Sequence, residues 1–230
     1  QRPGVRALAR YSELDLHAVS TSDISFRLGP RLNATGRVAS AEKALRMMLA
    51  EDDDIANRYG LFVEQCNANR KAQTEQIMRE VAQKILNTPD WESLPIIALY
   101  GEHWSTGLVG PIASKITERL GIPAIVMQQQ GDVLTGSGRS VGGINLLNLI
   151  AEADGLLTRY GGHAGAAGMT LPAANYHAFV DTITAAASRP GLNLPQLPTV
   201  TLDAWLPEQA FQLSIIDELD ALAPFGHGNR

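Results

Sequence analysis

The chain has 230 residues, is 45% hydrophobic and carries a formal net charge of −5, which allows a sizeable core in one large or two small domains. No apolar run approaches the roughly 20 residues that span a bilayer, and the opening residues, with Arg2, Arg6 and Arg10, lack the apolar centre of a signal peptide, so no membrane contact and a cytoplasmic location are expected. A single cysteine, Cys66, excludes an intramolecular disulfide and any multi-cysteine metal site.

The charge is unevenly distributed. Residues 1–47 hold eight Lys or Arg against four Asp or Glu, and the remaining 183 hold eleven against twenty. A basic opening on an acidic body points to an anionic ligand gripped locally. Val5, Leu8 and Ala9 are spaced for one helix face, and Asp15 to Val19 reads as a short strand or a turn. The stretch from Phe26 to Arg37 sets Arg27, Arg31 and Arg37 among two glycines and a proline, a composition expected of a positioned loop. Its guanidinium forks suit phosphate oxygens, and a glycine-punctuated loop would add backbone N–H groups.

Ala44, Leu45, Met48 and Leu49 predict a helix with Ser40 as its N-cap. A longer helix starts near Asp52, Asp53 and Asp54, whose charges favour a helix N-terminus over a metal site. Ile55, Tyr59, Phe62 and Cys66 form one apolar stripe, and Ile77, Val81 and Ile85 form another that stops at Pro89. Between them, Asn67 to Gln76 is polar on every face. A helix that loses its apolar stripe midway leaves one core before reaching the next, and some 35 residues would span on the order of 50 Å.

Beyond Pro89 strands and helices alternate. Pro95 to Tyr100 predicts a buried strand, Gly107 to Leu120 a helix ending at Gly121, and Ile122 to Met127 a second strand parallel to the first. The loop from Glu102 to Gly110 should bring polar and small residues to the carboxyl end of the first strand, where open α/β sheets bind ligands. Further strands are expected at Val133 to Gly138 and Ala167 to Leu171, with helices at Asn145 to Leu157 and Asn175 to Ser188.

Two glycine-rich elements stand out in this half. Thr135-Gly136-Ser137-Gly138-Arg139-Ser140 lets backbone approach an anion beside a hydroxyl and a permanent charge. Gly161-Gly162-His163-Ala164-Gly165-Ala166-Ala167-Gly168 holds one imidazole among small residues and is expected as a loop at a buried helix-to-strand junction. Pro190, Pro195 and Pro198 mark a linker, after which Thr199 to Trp205 reads as a strand and Leu213 to Leu222 as a helix. The turn-rich ending Pro224 to Arg230 reads as a cut within something longer.

Six ordered motifs carry a family resemblance: Gly29 to Arg37, Asn69-Arg70-Lys71, Trp104 to Gly110, Gly136 to Ser140, Gly161-Gly162-His163 with Ala166-Ala167-Gly168, and Pro224 to Asn229. Together they resemble the C-terminal part of a RecJ-type single-strand-specific DNA exonuclease of the Asp-His-His phosphoesterase superfamily. The resemblance implies an α/β fold with a mixed, partly parallel sheet flanked by helices and preceded by a long connecting helix. Residues 1–50 would end the Asp-His-His domain, 51–89 form the connecting helix, 90–190 the associated substrate-binding domain, and 198–230 open an oligonucleotide-binding domain.

Single-stranded DNA is the partner implied, lying between the first two domains. Phosphate or nucleic-acid contacts are expected from Arg31, Asn33, Arg37, Trp104, Ser137, Gly138, Arg139, Ser140, Gly161 and Gly162. Of these, Arg37, Ser137 and Arg139 would hold the 5′ end, and His163 would be the catalytic histidine near the scissile phosphate. Mn or Mg would serve the parent enzyme, bound by an upstream domain, because no Asp-His-His triplet occurs here; none is expected in this chain. Ser105 stands where many relatives have histidine. An oligonucleotide or cyclic-dinucleotide phosphodiesterase, or a non-catalytic nucleic-acid-binding module, is the alternative.

Overall fold

The computed structural model describes residues 2–189, 202 and 204–225. Its first part is helical: α1 (Pro3–Tyr11), a single turn α2 (Thr21–Asp23) running through a π-helical turn at Ile24–Leu28 into α3 (Gly29–Val38), then α4 (Glu42–Leu49) and the 34-residue α5 (Asp53–Leu86). Asp15 to Val19 forms turns rather than a strand.

The arginine-rich stretch is not the predicted loop. Pro30 sits in the first turn of α3, where a missing N–H leaves no helical bond unmade, so proline favours helix at that position. The backbone amides expected to cradle an anion are therefore committed to the helix, and only the side chains of α3 remain free to bind. Ser40 lies one residue before the N-cap of α4, its hydroxyl accepting the Glu42 amide at 3.3 Å.

Asp52 caps α5 by accepting the amides of Asp54 and Ile55, and Asp53 pairs with Arg6 at 2.8 Å, so the acidic run is a helix start tied to α1. Leu8, Ala44, Met47 and Val63 form a small core between α1, α4 and the first half of α5. Cys66 is buried on this helix, and burial pushes its thiol pKa up, as suits an inert core residue. Ile77, Val81 and Ile85 on the second half join a different core. Between the two, most residues from Asn67 to Gln76 are exposed, and Asn67 and Thr74 are buried.

The second part is a five-stranded sheet in the order β1 (Ile97–Gly101), β2 (Ala124–Gln130), β3 (Val133–Arg139), β5 (Ala166–Pro172), β4 (Arg159–His163). The β1–β2 pair is parallel, linked through α6 (Thr106–Leu120), and the other pairs are antiparallel. One face buries Ile125, Met127, Leu134 and Leu171 under α7 (Leu146–Ala151) and α8 (Tyr176–Ala187). The other buries Ile97, Leu99, Ala124 and Val126 under α6 and the end of α5.

The segment around His163 departs most from expectation. Gly161 to Gly168 is not a buried junction but an exposed β-hairpin, β4 and β5 turning at Ala164-Gly165. Gly162 explains why glycine is needed: at φ +153° it lies in a backbone region side chains rarely adopt, and a Cβ there would strike the Ala166 carbonyl. The helix expected to Leu157 stops at Ala151 and gives way to a 3-10 turn at Asp154–Leu156.

The proposed linker at 190–198 and the residues from Gly226 onward lie outside the described residues, as do most of those proposed for the strand at 199–205. Within the remainder, α9 (Ser214–Asp220) occupies the predicted helical stretch.

Candidate nucleic-acid interface

Helix α6 covers β1, β2 and part of β3 and leaves the same face of β5 and β4 open. Side chains alternate along a strand, so the register decides which residues share this open face. Arg139 pairs with Ala166, and Ala166 with His163; Ser137 pairs with Gly168, and Gly168 with Gly161; Thr135 pairs with Thr170, and Thr170 with Arg159. These three rows lie on the α6 side, because Ser137 and Arg139 pair on β2 with Val126 and Ala124 of the α6-facing core. The Gly168–Gly161 row makes a shelf free of side chains. A second polar row continues it, with Arg159 Nε donating to the Thr170 hydroxyl at 3.2 Å.

An open cleft of about 500 Å³ lies where this shelf meets α3 and the start of α6, lined by Asn33, Arg37, Thr106, Gly107, Ser137 and Arg139 among others. Gly107 lets the two helices meet, since a Cβ on it would run into the Arg37 carbonyl. Arg37 Nη1 in turn donates to the Gly107 carbonyl at 3.1 Å. Ser105 is the N-cap of α6 without a side-chain capping bond; its hydroxyl is directed to the Arg37 carbonyl instead. The first turn of this 15-residue helix, through Thr106 and Gly107, lines the cleft together with two guanidiniums, and the positive end of the helix dipole adds to a setting suited to an anion.

Arg139 Nη1 donates at 2.8 Å both to the Ser137 hydroxyl and to the Gly138 carbonyl. A hydroxyl that accepts from a guanidinium keeps its own proton for a further acceptor, so Ser137 and the remaining guanidinium donors can bind one anion together. Gly110 leaves the room: a Cβ on it would lie 3.1 Å from Arg139 Nη2 and 3.4 Å from Ser137 Oγ. Among the described residues no carboxylate forms an ion pair with Arg37 or Arg139.

The structure thus gathers Asn33, Arg37, Ser137 and Arg139 at one cleft, with Gly161 on the adjoining shelf and His163 in the row of Arg139. Gly138 contributes its carbonyl to Arg139 while its bare Cα faces Leu146 on the opposite side of the sheet. Three expected contacts fall elsewhere. Trp104 is 1% exposed, its indole donating to Glu80 of α5 at 2.6 Å, so it fastens the long helix to the sheet domain instead of meeting a ligand. Arg31 Nε is engaged at 2.6 Å by Glu64 of α5. The Ser140 hydroxyl donates inward to the Ile144 carbonyl at 2.9 Å.

Thr106 lies in the loop from Glu102 to Gly110 that the sequence places near a ligand, whereas Pro111, one residue beyond that loop, also lines the cleft and was not expected there. Sequence reading also missed the Thr135, Thr170 and Arg159 row, which becomes visible only once strand register is known. Among the described residues no group of three or more His, Cys, Asp and Glu comes together that could hold a metal ion.

Residues 93–189 match the DHHA1 domain family. The crystal structure of RecJ from Thermus thermophilus in complex with Mg2+ superposes with a TM-score of 0.85 at 32% identity, over 99% of this chain and 34% of that one. Residues 93–189 thus form a DHHA1 domain. The single-stranded-DNA-specific exonuclease RecJ of Dickeya dadantii is 36% identical over 178 residues, 74% of this chain and 31% of that protein. RecJ of Bacillus subtilis is 29% identical over 227 residues, 98% of this chain and 29% of its own length. The chain spans about a third of the length of these curated relatives. The helical first part, which precedes the DHHA1 match, is included in the Thermus superposition.

Proposed function

We propose that the chain is the substrate-gripping portion of a 5′-to-3′ single-stranded-DNA exonuclease, cytoplasmic like the DNA it would process. The observation that carries the reading is the convergence of Arg37 from α3, the α6 N-terminus, and Ser137 with Arg139 from β3 on one cleft with no carboxylate among the described residues that line it. Such a cleft is built for a phosphate, and a strand's 5′-terminal phosphate is the one with more charge than its internal neighbours. The open shelf over Gly161 and Gly168 gives the following nucleotide a flat surface. His163, in the row of Arg139, faces the direction in which the chain would continue.

On this reading the divalent ions of the parent enzyme, Mn or Mg as in the related crystal structures, are held by residues other than those of this chain. The metal would activate water for phosphodiester hydrolysis; the residues described here bind the strand, set its 5′ end and place one imidazole beside the phosphate. The chain alone should bind without cutting. Fluorescence anisotropy of the 230-residue chain with labelled 5′-phosphorylated and 5′-hydroxyl single strands is expected to show tighter binding of the first, with no degradation in Mn or Mg. Equal affinity for both strands, or degradation by purified chain that His163→Ala abolishes, would overturn this reading.

A further inference from the structure

Behind Arg37 lies a second compartment of about 190 Å³ between α3, α5 and α6, lined by Asn33, Arg37, Arg70, Thr74 and Lys115 among others. Asn33, Arg37 and Pro111 border both compartments, so the two are neighbours. Three cations face this space: Arg37, Arg70 and Lys115. Among the described residues none of the three makes an ion pair with a carboxylate, and Glu64 of α5 is paired with Arg31.

Arg70 is the anomalous member. Its Nη2 donates to Asn67 Oδ1 at 2.9 Å, but its Nε is buried without any hydrogen-bond partner. A buried guanidinium donor left unmade is costly, and native structures leave few such groups unless a ligand completes them. Burial lowers the pKa of this arginine, and the like charges of Arg37 and Arg31 lower it further, so the surroundings oppose a positive charge that an anion would stabilise. The Thr74 hydroxyl donates back to the Arg70 carbonyl at 2.7 Å, which holds the helix side of the compartment in place.

We infer that this compartment is a second phosphate subsite, in which Arg37, Arg70 and Lys115 hold a phosphate group beyond the one held by Ser137 and Arg139. The inference rests on the reading that the cleft takes a phosphorylated strand, and Arg37 is the residue shared between the two groups. The bound phosphate is either an internal phosphodiester of that strand or a free phosphate; both present the same oxygens to the same three cations.

The test uses the whole chain and the variants Arg70→Gln and Lys115→Gln, with thermal melts to verify folding; Lys115 is exposed, so its variant keeps the fold if Arg70→Gln does not. Binding of 5′-phosphorylated and 5′-hydroxyl oligothymidylate is followed from about 50 to 200 mM salt, the range over which phosphate contacts are most sensitive. Each variant should weaken both probes by a similar factor and flatten the log–log salt slope by about 0.7, the value for one phosphate contact on a single strand. Inorganic phosphate then separates the sources. If the loss in the variants is seen with oligothymidylate and not with inorganic phosphate, the subsite takes a phosphodiester; if inorganic phosphate alone raises the melting temperature of the wild type and not of the variants, it takes a free anion. Unchanged slopes in both variants together with the same phosphate-induced melting shift in wild type and variants, while Arg139→Ala still erases 5′-phosphate preference, would overturn the subsite and leave the broader reading standing. Should the wild type bind neither strand, the broader reading fails, and an equal phosphate-induced shift in wild type and variants would overturn the subsite as well.

Discussion

Arg139 Nη1 reaches back along its own strand to the Ser137 hydroxyl at 2.8 Å, so the two residues on the α6 face of β3 act as one donor group. A second 2.8 Å bond, to the Gly138 carbonyl, fixes the guanidinium plane and leaves Nη2 beside Gly110 for a ligand. Lysine at this position has a single nitrogen and no fork, so it cannot brace Ser137 and reach a phosphate with separate donors. Arg139→Ala should weaken binding of a 5′-phosphorylated strand by roughly 10- to 100-fold, the equivalent of about 1.5–3 kcal/mol for a charge-assisted bond, and leave 5′-hydroxyl strands much less affected. Arg139→Lys should recover part of the affinity and little of the preference. Anisotropy titrations with matched strands check this; equal losses on both strands would remove Arg139 from the end-recognition role.

Trp104 and Glu80 form the joint between the sheet domain and the long helix, and the indole bond holds the Glu80 carboxyl below its ordinary pKa of 4.5, with Gln76, His103 and Lys84 adding to the effect. A carboxylate whose folded pKa is depressed contributes stability above its unfolded pKa, and that contribution is lost as pH falls through the lower folded value. Glu80 is half-buried, so solvent screening keeps the effect modest. Glu80→Ala leaves a buried indole N–H without its acceptor and should cost about 1–3 kcal/mol near neutral pH. Thermal melts from about pH 7 down to about pH 3 should show the gap between wild type and Glu80→Gln closing as pH drops below the carboxylate range. A gap that stays constant with pH would show that the Trp104 bond does not depend on the ionised carboxyl.

How much of this was legible beforehand depended on whether the signal was local. The α5 boundaries followed from Asp52 at its start and the apolar stripes of Ile55 to Cys66 and Ile77 to Ile85, and the parallel β1–β2 pair followed from a strand, a helix and Gly121 in order. Helix α3 did not, because Gly29, Pro30 and Gly36 resemble loop composition; proline in the first turn and packing against α5 reverse that preference. The β4 hairpin was hidden for a similar reason. Gly161 and Gly162 carry no alternation of polar and apolar side chains from which to read a strand. Arg37, Ser137 and Arg139, expected together from type and motif, do line one cleft, but Trp104 shows the limit of that approach: an aromatic beside a glycine-rich turn can stack on a base or fill a core, and only its 1% exposure and its bond to Glu80 place it in the core.

His163 and Arg139 occupy the same row of the sheet with Ala166 between them, and adjacent strands lie about 4.8 Å apart, which places their backbones roughly 10 Å from each other. That separation suits different positions along one bound strand better than joint ligation of a single phosphate. Arg139 is permanently charged and braced by Ser137, as ground-state recognition requires. His163 ends an exposed strand just before the Ala164-Gly165 turn, and an imidazole N–H can donate to an oxygen, so it suits charge that develops on the transferring phosphoryl group. In the parent enzyme, His163→Ala should lower kcat by about 100-fold or more, as loss of one such donor does elsewhere, while KM stays within a few-fold. Arg139→Ala should do the reverse, raising KM for 5′-phosphorylated strands with a smaller change in kcat. Steady-state kinetics on strands of one length, with the wild type and both variants at the same metal concentration, separates the two effects; parallel changes in kcat and KM from both substitutions would mean that the two side chains serve the same phosphate.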